Sequence, residues 1–325
     1  MRRRERHHDA HRAKTLSPVL LLLLLAAASV VSCSGRNQSD GSRASDKPVV
    51  SAPESARTTS PATESSDSAG TGGKAGSRHV NTAGKTIGER FRTPDGSRRI
   101  PVAPGSFGEF LRNLALKPDG AEVRYFDGRV KANRGVYDAV MDVDVGDRDL
   151  QQCADAVMRL RAEYLYSCRR YDDIHFNFAN GFRADYTRWM AGDRVVVEGS
   201  RSYWVKRSGQ SNTYADLRRY LNVVFAYANT VSLAREMRPV KTSEMAIGDV
   251  FIDQGHSVIV VDMAVDSTGD KRLFMMAQSY MPAQDIQILR NPVNESLSPW
   301  YELDFGETLR TPEWTFTNRD LRRFE

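Results

Sequence analysis

The stretch that decides the fold is IGDVFIDQGHSVIVVDMAV, residues 247–265. From Ser257 to Val265 the residues are almost all apolar, and such a run predicts a buried strand. One ionisable residue, His256, stands where this strand begins. A histidine in that position is either a strand-end residue with a satisfied hydrogen bond or a functional base, and its neighbours in the fold decide between the two.

A second apolar segment, KRLFMMAQSYM, begins at Lys271 after the glycine-containing link DSTGD. Two apolar runs with such a link between them predict a β-hairpin. In one register of this hairpin, Gln278 and Tyr280 share the face of His256. A slip of one residue puts Ser279 there instead, because successive side chains of a strand point to opposite faces. The sequence leaves all three candidates open.

The segment RDLQQCADAVMRLRAEYLY has apolar residues at helical spacing, with Asp149 as the predicted N-cap. This places Cys153 in the first helical turn. The other predicted elements are a short helix at 106–114, strands at 140–145 and 174–178, and a second long helix over 213–237 with Thr213 or Asn212 as its cap. Because helices precede an antiparallel sheet, we predict an α+β fold in a single domain over residues 86–325.

The first 32 residues have the layout of an export signal, with basic residues, the apolar run VLLLLLLAAASVV and small residues before Cys33. The end VVSC resembles the bacterial lipoprotein box, in which the cysteine receives a diacylglycerol. That resemblance implies an exported protein anchored to a membrane through Cys33, and Ser34 after it implies the outer membrane. An ordinary signal peptide with an incidental cysteine is the alternative. Residues 33–85 are rich in Ser, Thr, Gly and Pro and are predicted to be a disordered tether.

The charge of the chain argues against a nucleic-acid partner. The formal net charge is +5, but six basic and two acidic residues in the first 32 positions hold +4 of it. The remaining +1 is too little for the basic surface that nucleic-acid binding requires.

The predicted domain holds two cysteines, Cys153 and Cys168. One helix between them separates the pair by roughly 22 Å, far beyond the ~7 Å that a disulfide spans. Cys153 is then either a small core residue or a nucleophile. The free N–H groups of a helix start favour a thiolate and can bind an oxyanion, with help from the amide of Gln151 or Gln152.

Cys153, His256 and a polar third residue, Gln278, form the usual set for acyl transfer by a thiol. In this hypothesis Cys153 attacks, His256 moves the proton, Gln278 orients the ring, and Gln152 assists the oxyanion. No cofactor is expected.

Longer segments carry two resemblances. SFGEFLRNLALKPDG, RDLQQCADAVMRLRAEYLY, GHSVIVVDMA, AQSYMPAQDIQIL and SPWY resemble a family of bacterial lipoproteins known as domain of unknown function 4846, which brings no established activity. The order of a helix-start Cys, GD with a strand, a strand opening with His and a polar residue is similar to the papain-like NlpC/P60 wall hydrolases. That similarity implies a papain-like helix packed on an antiparallel sheet, and hydrolysis of peptidoglycan amide bonds. Gln152 stands where that class usually has Asp.

Two other functions fit the residue types. One is a zinc-dependent hydrolase that uses His175, His256 and a carboxylate such as Asp173 or Asp249. The other is a non-catalytic lipoprotein that binds the cell wall or a glycan, with Tyr186 and Trp189 stacking on sugars.

Overall fold

The structure, a computed structural model, describes residues 79–325. The predicted export signal, Cys33 and the tether up to residue 78 lie outside the described residues. Residues 79–85 belong to the fold, because Val80 pairs with Phe91 and His79 is buried. The folded part therefore begins before the predicted boundary at residue 86. In the described part, no helix is long and apolar enough to cross a bilayer.

Six α-helices and fifteen β-strands lie within residues 79–325. The helices are α1 (Ile87–Arg90), α2 (Phe107–Arg112), α3 (Cys153–Ser167), α4 (Tyr186–Met190), α5 (Tyr214–Tyr227) and α6 (Thr230–Arg235). The strands are β1 (Ser97–Arg99), β2 (Tyr137–Val140), β3 (His175–Asn177), β4 (Arg183–Asp185), β5 (Asp193–Glu198), β6 (Arg201–Lys206), β7 (Met237–Pro239), β8 (Val250–Ile252), β9 (Ser257–Asp266), β10 (Arg272–Gln278), β11 (Gln287–Leu289), β12 (Tyr301–Glu302), β13 (Thr308–Arg310), β14 (Thr315–Thr317) and β15 (Leu321–Phe324).

Nine of these strands form one antiparallel sheet, which confirms the α+β prediction. Seven follow the order β2-β11-β10-β9-β8-β15-β7, while β1 pairs with β9 and β12 pairs with β10. The predicted hairpin is β9 and β10. Strand β9 pairs with three neighbours and is the centre of the sheet. The other described strands form the two-stranded ribbons β3-β4, β5-β6 and β13-β14.

Both faces of the hairpin are covered. Ile259 and Val261 join the apolar cluster that includes α3 and α5, whereas Val258 and Val260 join the cluster that includes Phe316 of β14. A strand covered on both sides needs apolar residues at successive positions, which explains the continuous run in the sequence.

Helix α3 begins at Cys153, and its N-cap is Gln152 rather than the predicted Asp149. The backbone N–H of Gln152 donates to the Asp155 carboxylate at 3.1 Å. Asp149 instead accepts the N–H of Ala283 at 2.7 Å, which ties the loop before α3 to the chain after β10. Since α3 also packs against β9 and β10, its first residue is held near the hairpin.

A β-bulge sets which side chains share the face of His256. Met275 pairs with Asp262, but the next residue, Met276, pairs with Val260, so one residue of β9 is skipped. Continued past the bulge, this register places Tyr280 opposite His256, and without the bulge Ser279 would take that face. A bulge shifts the alternation by one residue and redirects every side chain beyond it.

Asp262 stands at the bulge and is fully buried. Its carboxylate accepts from Arg99 Nε at 2.7 Å and from Arg112 Nε at 2.8 Å. It also accepts the N–H of Met263 at 2.8 Å. Two arginines from β1 and α2 therefore neutralise the one charge in the middle of β9.

Two element boundaries differ from prediction. The second long helix starts after Thr213, which forms a capping box with Asp216 as expected, but it ends at Tyr227. Asn229 then caps α6 as a separate helix, because its side chain accepts from the N–H of Ser232. The strand predicted at 140–145 forms three residues earlier, as β2.

Candidate functional site

Cys153 lies at the start of α3 with 7% of its surface exposed. The backbone N–H groups of Ala154 and Ser257 lie close enough to its sulfur to act on the pKa of the thiol. Ser257 directly follows His256, so the sulfur lies against the entrance of β9. The first N–H groups of a helix have no backbone partner within the helix, so that of Ala154 can face the sulfur.

Burial controls the acidity of this thiol. It raises the pKa of Cys153 above its ordinary value of 9.0, and the nearby Asp155 carboxyl acts in the same direction, while the hydrogen bonds from Ala154 and Ser257 oppose them. Burial also raises the pKa of Asp155 to about 8. The sequence predicted a thiolate favoured by the helix start, but loss of solvation outweighs that effect. The sulfur is a neutral thiol at neutral pH.

His256 is bound through its Nε2 atom, which lies 2.8 Å from Oε1 of Gln278. The amide Nε2 of Gln278 donates to the carboxylate of Glu313 at 2.7 Å. A carboxylate only accepts, so the amide oxygen of Gln278 must face the ring and accept from Nε2–H. In the neutral ring Nδ1 is then the atom with the free lone pair. This assignment follows from hydrogen-bond directions.

Two residues of this network were missed from the sequence. Glu313 lies between β13 and β14, and its carboxylate also accepts from Lys131 Nζ at 2.7 Å. Both side chains are largely buried, 18% exposed for Glu313 and 4% for Lys131. They lie 182 positions apart, and no local motif marks either one. The burial of Lys131, which calls for such a partner, is visible only in the fold.

Aromatic rings surround His256. Its ring centroid lies 4.8 Å from that of Tyr280, 5.4 Å from Trp314 and 6.0 Å from Phe316. Burial among these rings lowers the pKa of His256, and the hydrogen bond that the ring donates to Gln278 opposes that effect. The imidazole is therefore neutral at neutral pH. Tyr280 also lies near enough to Cys153 for the two groups to interact electrostatically.

The loop before β9 is fixed by Asp253. Its carboxylate accepts the N–H groups of Gly255 at 2.7 Å and His256 at 2.9 Å, and the indole N–H of Trp314 at 3.0 Å. The indole covers Gly255 so closely that a Cβ there would lie 2.8 Å from two ring carbons. Only glycine leaves room for Trp314 beside His256.

Gly255→Ala is therefore expected to push Trp314 away from His256. The emission spectrum of Trp314, isolated by comparison with a Trp314→Phe background, should shift to longer wavelength as the indole gains solvent. Gly209→Ala is the matched control, since a Cβ at Gly209 meets nothing within 4 Å. An unchanged spectrum in Gly255→Ala would show that the ring is not held as described.

The other predicted site residues have different partners. The amide Nε2 of Gln152 donates to Asp149 at 3.0 Å, so this side chain is already engaged and the backbone of α3 is the better oxyanion donor. Gln151 turns toward Arg159, which donates to its Oε1 at 2.9 Å. The hydroxyl of Ser279 lies 3.0 Å from the carbonyl oxygen of Gln151, which ties β10 to the start of α3.

The residues proposed for a zinc-dependent hydrolase do not come together in the part of the chain that the structure describes. No group of three or more His, Cys, Asp and Glu side chains in residues 79–325 is arranged to hold a metal ion. His175 lies on β3 and lines a cavity with Asp173 and Glu236, away from His256. Asp249 is buried and is bound by Arg323 at 2.6 and 2.8 Å, so it anchors β15 beside β8.

Tyr186 and Trp189 do not form a sugar-stacking surface. They are 0% and 5% exposed, and both rings pack on Tyr220, with centroid distances of 5.1 and 5.9 Å. Their helical spacing reflects the core of the protein. Cys153 and Cys168 are free thiols, as predicted from their separation along α3.

The fold and site define an α+β protein with a buried His256–Gln278 pair on its central hairpin and a buried Cys153 at the helix start that packs against this hairpin. The chain belongs to the family described as Domain of unknown function (4846), whose model matches residues 87–323. No curated protein and no solved structure matches it significantly.

Proposed function

We propose that this protein is a thiol-dependent hydrolase of amide bonds. The observation that carries the proposal is the position of the Cys153 sulfur against the peptide that follows His256, together with the hydrogen bond that fixes His256 to Gln278. A thiol, a base and a residue that orients the base are the parts that thiol acyl transfer needs. Their order along the chain is also that of papain-like hydrolases.

In the first step the Cys153 sulfur bonds to the amide carbonyl carbon, and its proton passes to Nδ1 of His256. The carbonyl oxygen becomes an oxyanion, which the backbone N–H groups in the first turn of α3 stabilise. The C–N bond then breaks as the imidazolium gives its proton to the amine. The products of this half-reaction are a thioester on Cys153 and a free amine.

In the second step water attacks the thioester while Nδ1 of His256 accepts the water proton. Collapse breaks the C–S bond, and the proton returns to sulfur. The carboxylic acid leaves and the neutral pair is restored. No redox partner or cofactor enters the balance.

The site is closed in this structure, with Cys153 7% and His256 1% exposed. A reacting carbon must approach the sulfur to about 3–3.5 Å. Tyr280, which packs on the ring of His256, is half-buried and stands next to the exposed Met281, and we propose that its side chain moves to admit a substrate. Substrate entry is thus coupled to displacement of the ring that packs on His256.

The proposed substrate is an amide of the peptidoglycan stem or cross-link, and the proposed location is the bacterial cell envelope. Similarity of the Cys, GD and His segments to NlpC/P60 wall hydrolases supports the substrate. The lipoprotein box at Cys33 supports a lipid anchor, which would hold the domain close to the wall.

The proposal is tested by incubating the purified chain with peptidoglycan fragments and separating the products by mass spectrometry. We expect one new amine and one new carboxyl per bond cut, with the glycan chains intact. If the protein cosediments with peptidoglycan but cuts no bond, it is a wall-binding protein and not a hydrolase.

The pH profile of kcat/KM should be broad. His256 must be neutral to accept a proton, and its pKa lies below the ordinary 6.5, so the acid limb should fall below pH 6.5. Cys153 must carry the proton that later reaches the amine, and its pKa lies above 9.0, so the alkaline limb should fall above pH 9. Rates measured in a series of buffers test this. If both the acid and the alkaline limb of the profile fell between pH 6.5 and pH 9, a neutral thiol and a neutral imidazole would be contradicted.

Lipidation is predicted at Cys33. In a bacterial host, Cys33→Ala should abolish incorporation of labelled fatty acid and move the protein to the soluble fraction, because the acyl chains supply the membrane affinity. Fractionation and immunoblotting measure the shift. If the variant stays with the membrane, something other than a lipid at Cys33 holds it there.

A further inference from the structure

We propose that Lys131 and Glu313 are positioning residues that set the tautomer of His256. They do so through Gln278, without contact to the reacting atoms. The catalytic value of the tautomer rests on the proposed function, whereas the tautomer itself is a property of the resting protein.

The hydrogen-bond network starts at the ammonium of Lys131, which has donors and no acceptor. It donates to Glu313 at 2.7 Å and to Oε1 of Gln284 at 3.1 Å. Glu313 Oε2 accepts from Lys131 and, at 2.7 Å, from the amide nitrogen of Gln278. Each bond fixes the direction of the next one.

The amide of Gln278 is therefore held with its nitrogen toward Glu313 and its oxygen toward His256. An isolated glutamine can turn by half a rotation and exchange the two atoms. If Gln278 turned over, its nitrogen would donate to Nε2, and the ring proton would move to Nδ1. A ring protonated at Nδ1 cannot accept the proton of Cys153.

The network has the burial that a positioning role requires. Gln278 is 2% and Gln284 1% exposed, so water does not compete for these bonds. The Nζ atom of Lys131 also lies 5.6 Å from the ring centroid of Tyr280. Burial lowers the pKa of Lys131, and the hydrogen bond that its ammonium donates to Glu313 opposes that effect.

The test measures the His256 tautomer directly, by long-range ¹⁵N–¹H correlation spectra of the full chain labelled at histidine, at pH 7.5. His256→Asn assigns its signals among the six histidines. In the wild-type chain the Nε2–H form should exceed the Nδ1–H form about tenfold or more, because hydrogen bonds to charged groups are the strong ones. Glu313→Gln should keep this preference, since Lys131 still holds the new amide oxygen toward Gln278.

The disruptive variant is Lys131→Met combined with Glu313→Leu, which removes both partners and leaves no unpaired buried charge. Its Nε2–H excess should fall about fivefold or more, because nothing then orients Gln278. Glu307→Gln, an exposed change on the same segment, is the control. An Nδ1–H ring in the wild-type chain, or an unchanged ratio in the double variant, would overturn the inference.

Measuring hydrolysis beside the tautomer ratio shows whether the positioning network and the hydrolase proposal stand or fall separately. If hydrolysis is present, the double variant should lose kcat at least as strongly as it loses the Nε2–H form, with KM nearly unchanged. If the tautomer responds as expected but the wild-type chain cuts no amide, the positioning network stands and the hydrolase proposal fails.

Discussion

Cys153→Ala is expected to reduce amide hydrolysis to about a thousandth of the wild-type rate or less, because no other group can form the thioester. The fold should survive, because alanine fits the first turn of a helix. The site also lies where the central strand β9 begins and not in the middle of that strand. A change in melting temperature of only about 2–4 °C is expected for the loss of one buried sulfur atom. Product formation measured by mass spectrometry and unfolding followed by circular dichroism test the two halves of this prediction.

Matched variants separate chemistry from packing. His256→Ala should come close to Cys153→Ala, because members of such a set act as a unit. Gln278→Ala should be milder, since it only orients the ring. Cys168→Ala, an exposed thiol at the other end of α3, should be silent. The thiol mechanism is wrong if Cys153→Ala keeps more than about a tenth of the activity.

Asp262→Asn is expected to destabilise the fold by about 3 kcal/mol, the lower end of the range for breaking a buried ion pair. Asp262 is fully buried between Arg99 and Arg112, whose side chains are 25% and 14% exposed. In the variant water can partly hydrate these two arginines, which keeps the loss of stability at the lower end. The melting temperature should fall by about 6–12 °C for a domain of this size. Because Asp262 stands at the bulge that places Gln278 beside His256, hydrolysis should fall as well.

Asp270→Asn is the control for this prediction, since Asp270 is exposed in the turn between β9 and β10. Thermal unfolding of both variants gives the comparison. A melting temperature for Asp262→Asn within about 2 °C of the wild type would show that this ion pair does not hold the sheet centre.

The parts of the fold that follow from local periodicity were visible in the sequence. The continuous apolar run of β9 indicated a buried strand, and the glycine-containing link indicated the hairpin. The Thr213 cap of α5 was likewise readable, because its carboxyl partner Asp216 lies three positions away. Such signals need only neighbouring residues.

The bulge at Asp262 had no such signal. Whether Gln278 or Ser279 shares the face of His256 depends on the one residue of β9 that it skips. The start of α3 was misplaced because Asp149 is a good capping residue, yet the N–H of Ala283 takes its carboxylate. In both cases a partner far along the chain overrides the local preference.

The protonation state of Cys153 and the charged partners of Gln278 could not be predicted from the sequence either. A helix start favours a thiolate, but only the fold shows that Cys153 is buried enough for desolvation to dominate. Lys131 and Glu313 meet Gln278 from distant segments. Long-range contacts of this kind leave no spacing pattern in a single sequence.

The central claim is that the Cys153 sulfur forms a covalent acyl intermediate with His256 as its base. Acid quenching during turnover of a peptidoglycan peptide, followed by intact-mass and peptide-mapping spectrometry, tests it most directly. We expect a thioester of the substrate acyl group on the peptide that contains Cys153, and no such adduct in Cys153→Ala. Turnover of the substrate with Cys153 unmodified, or an acyl group on another residue, would contradict it.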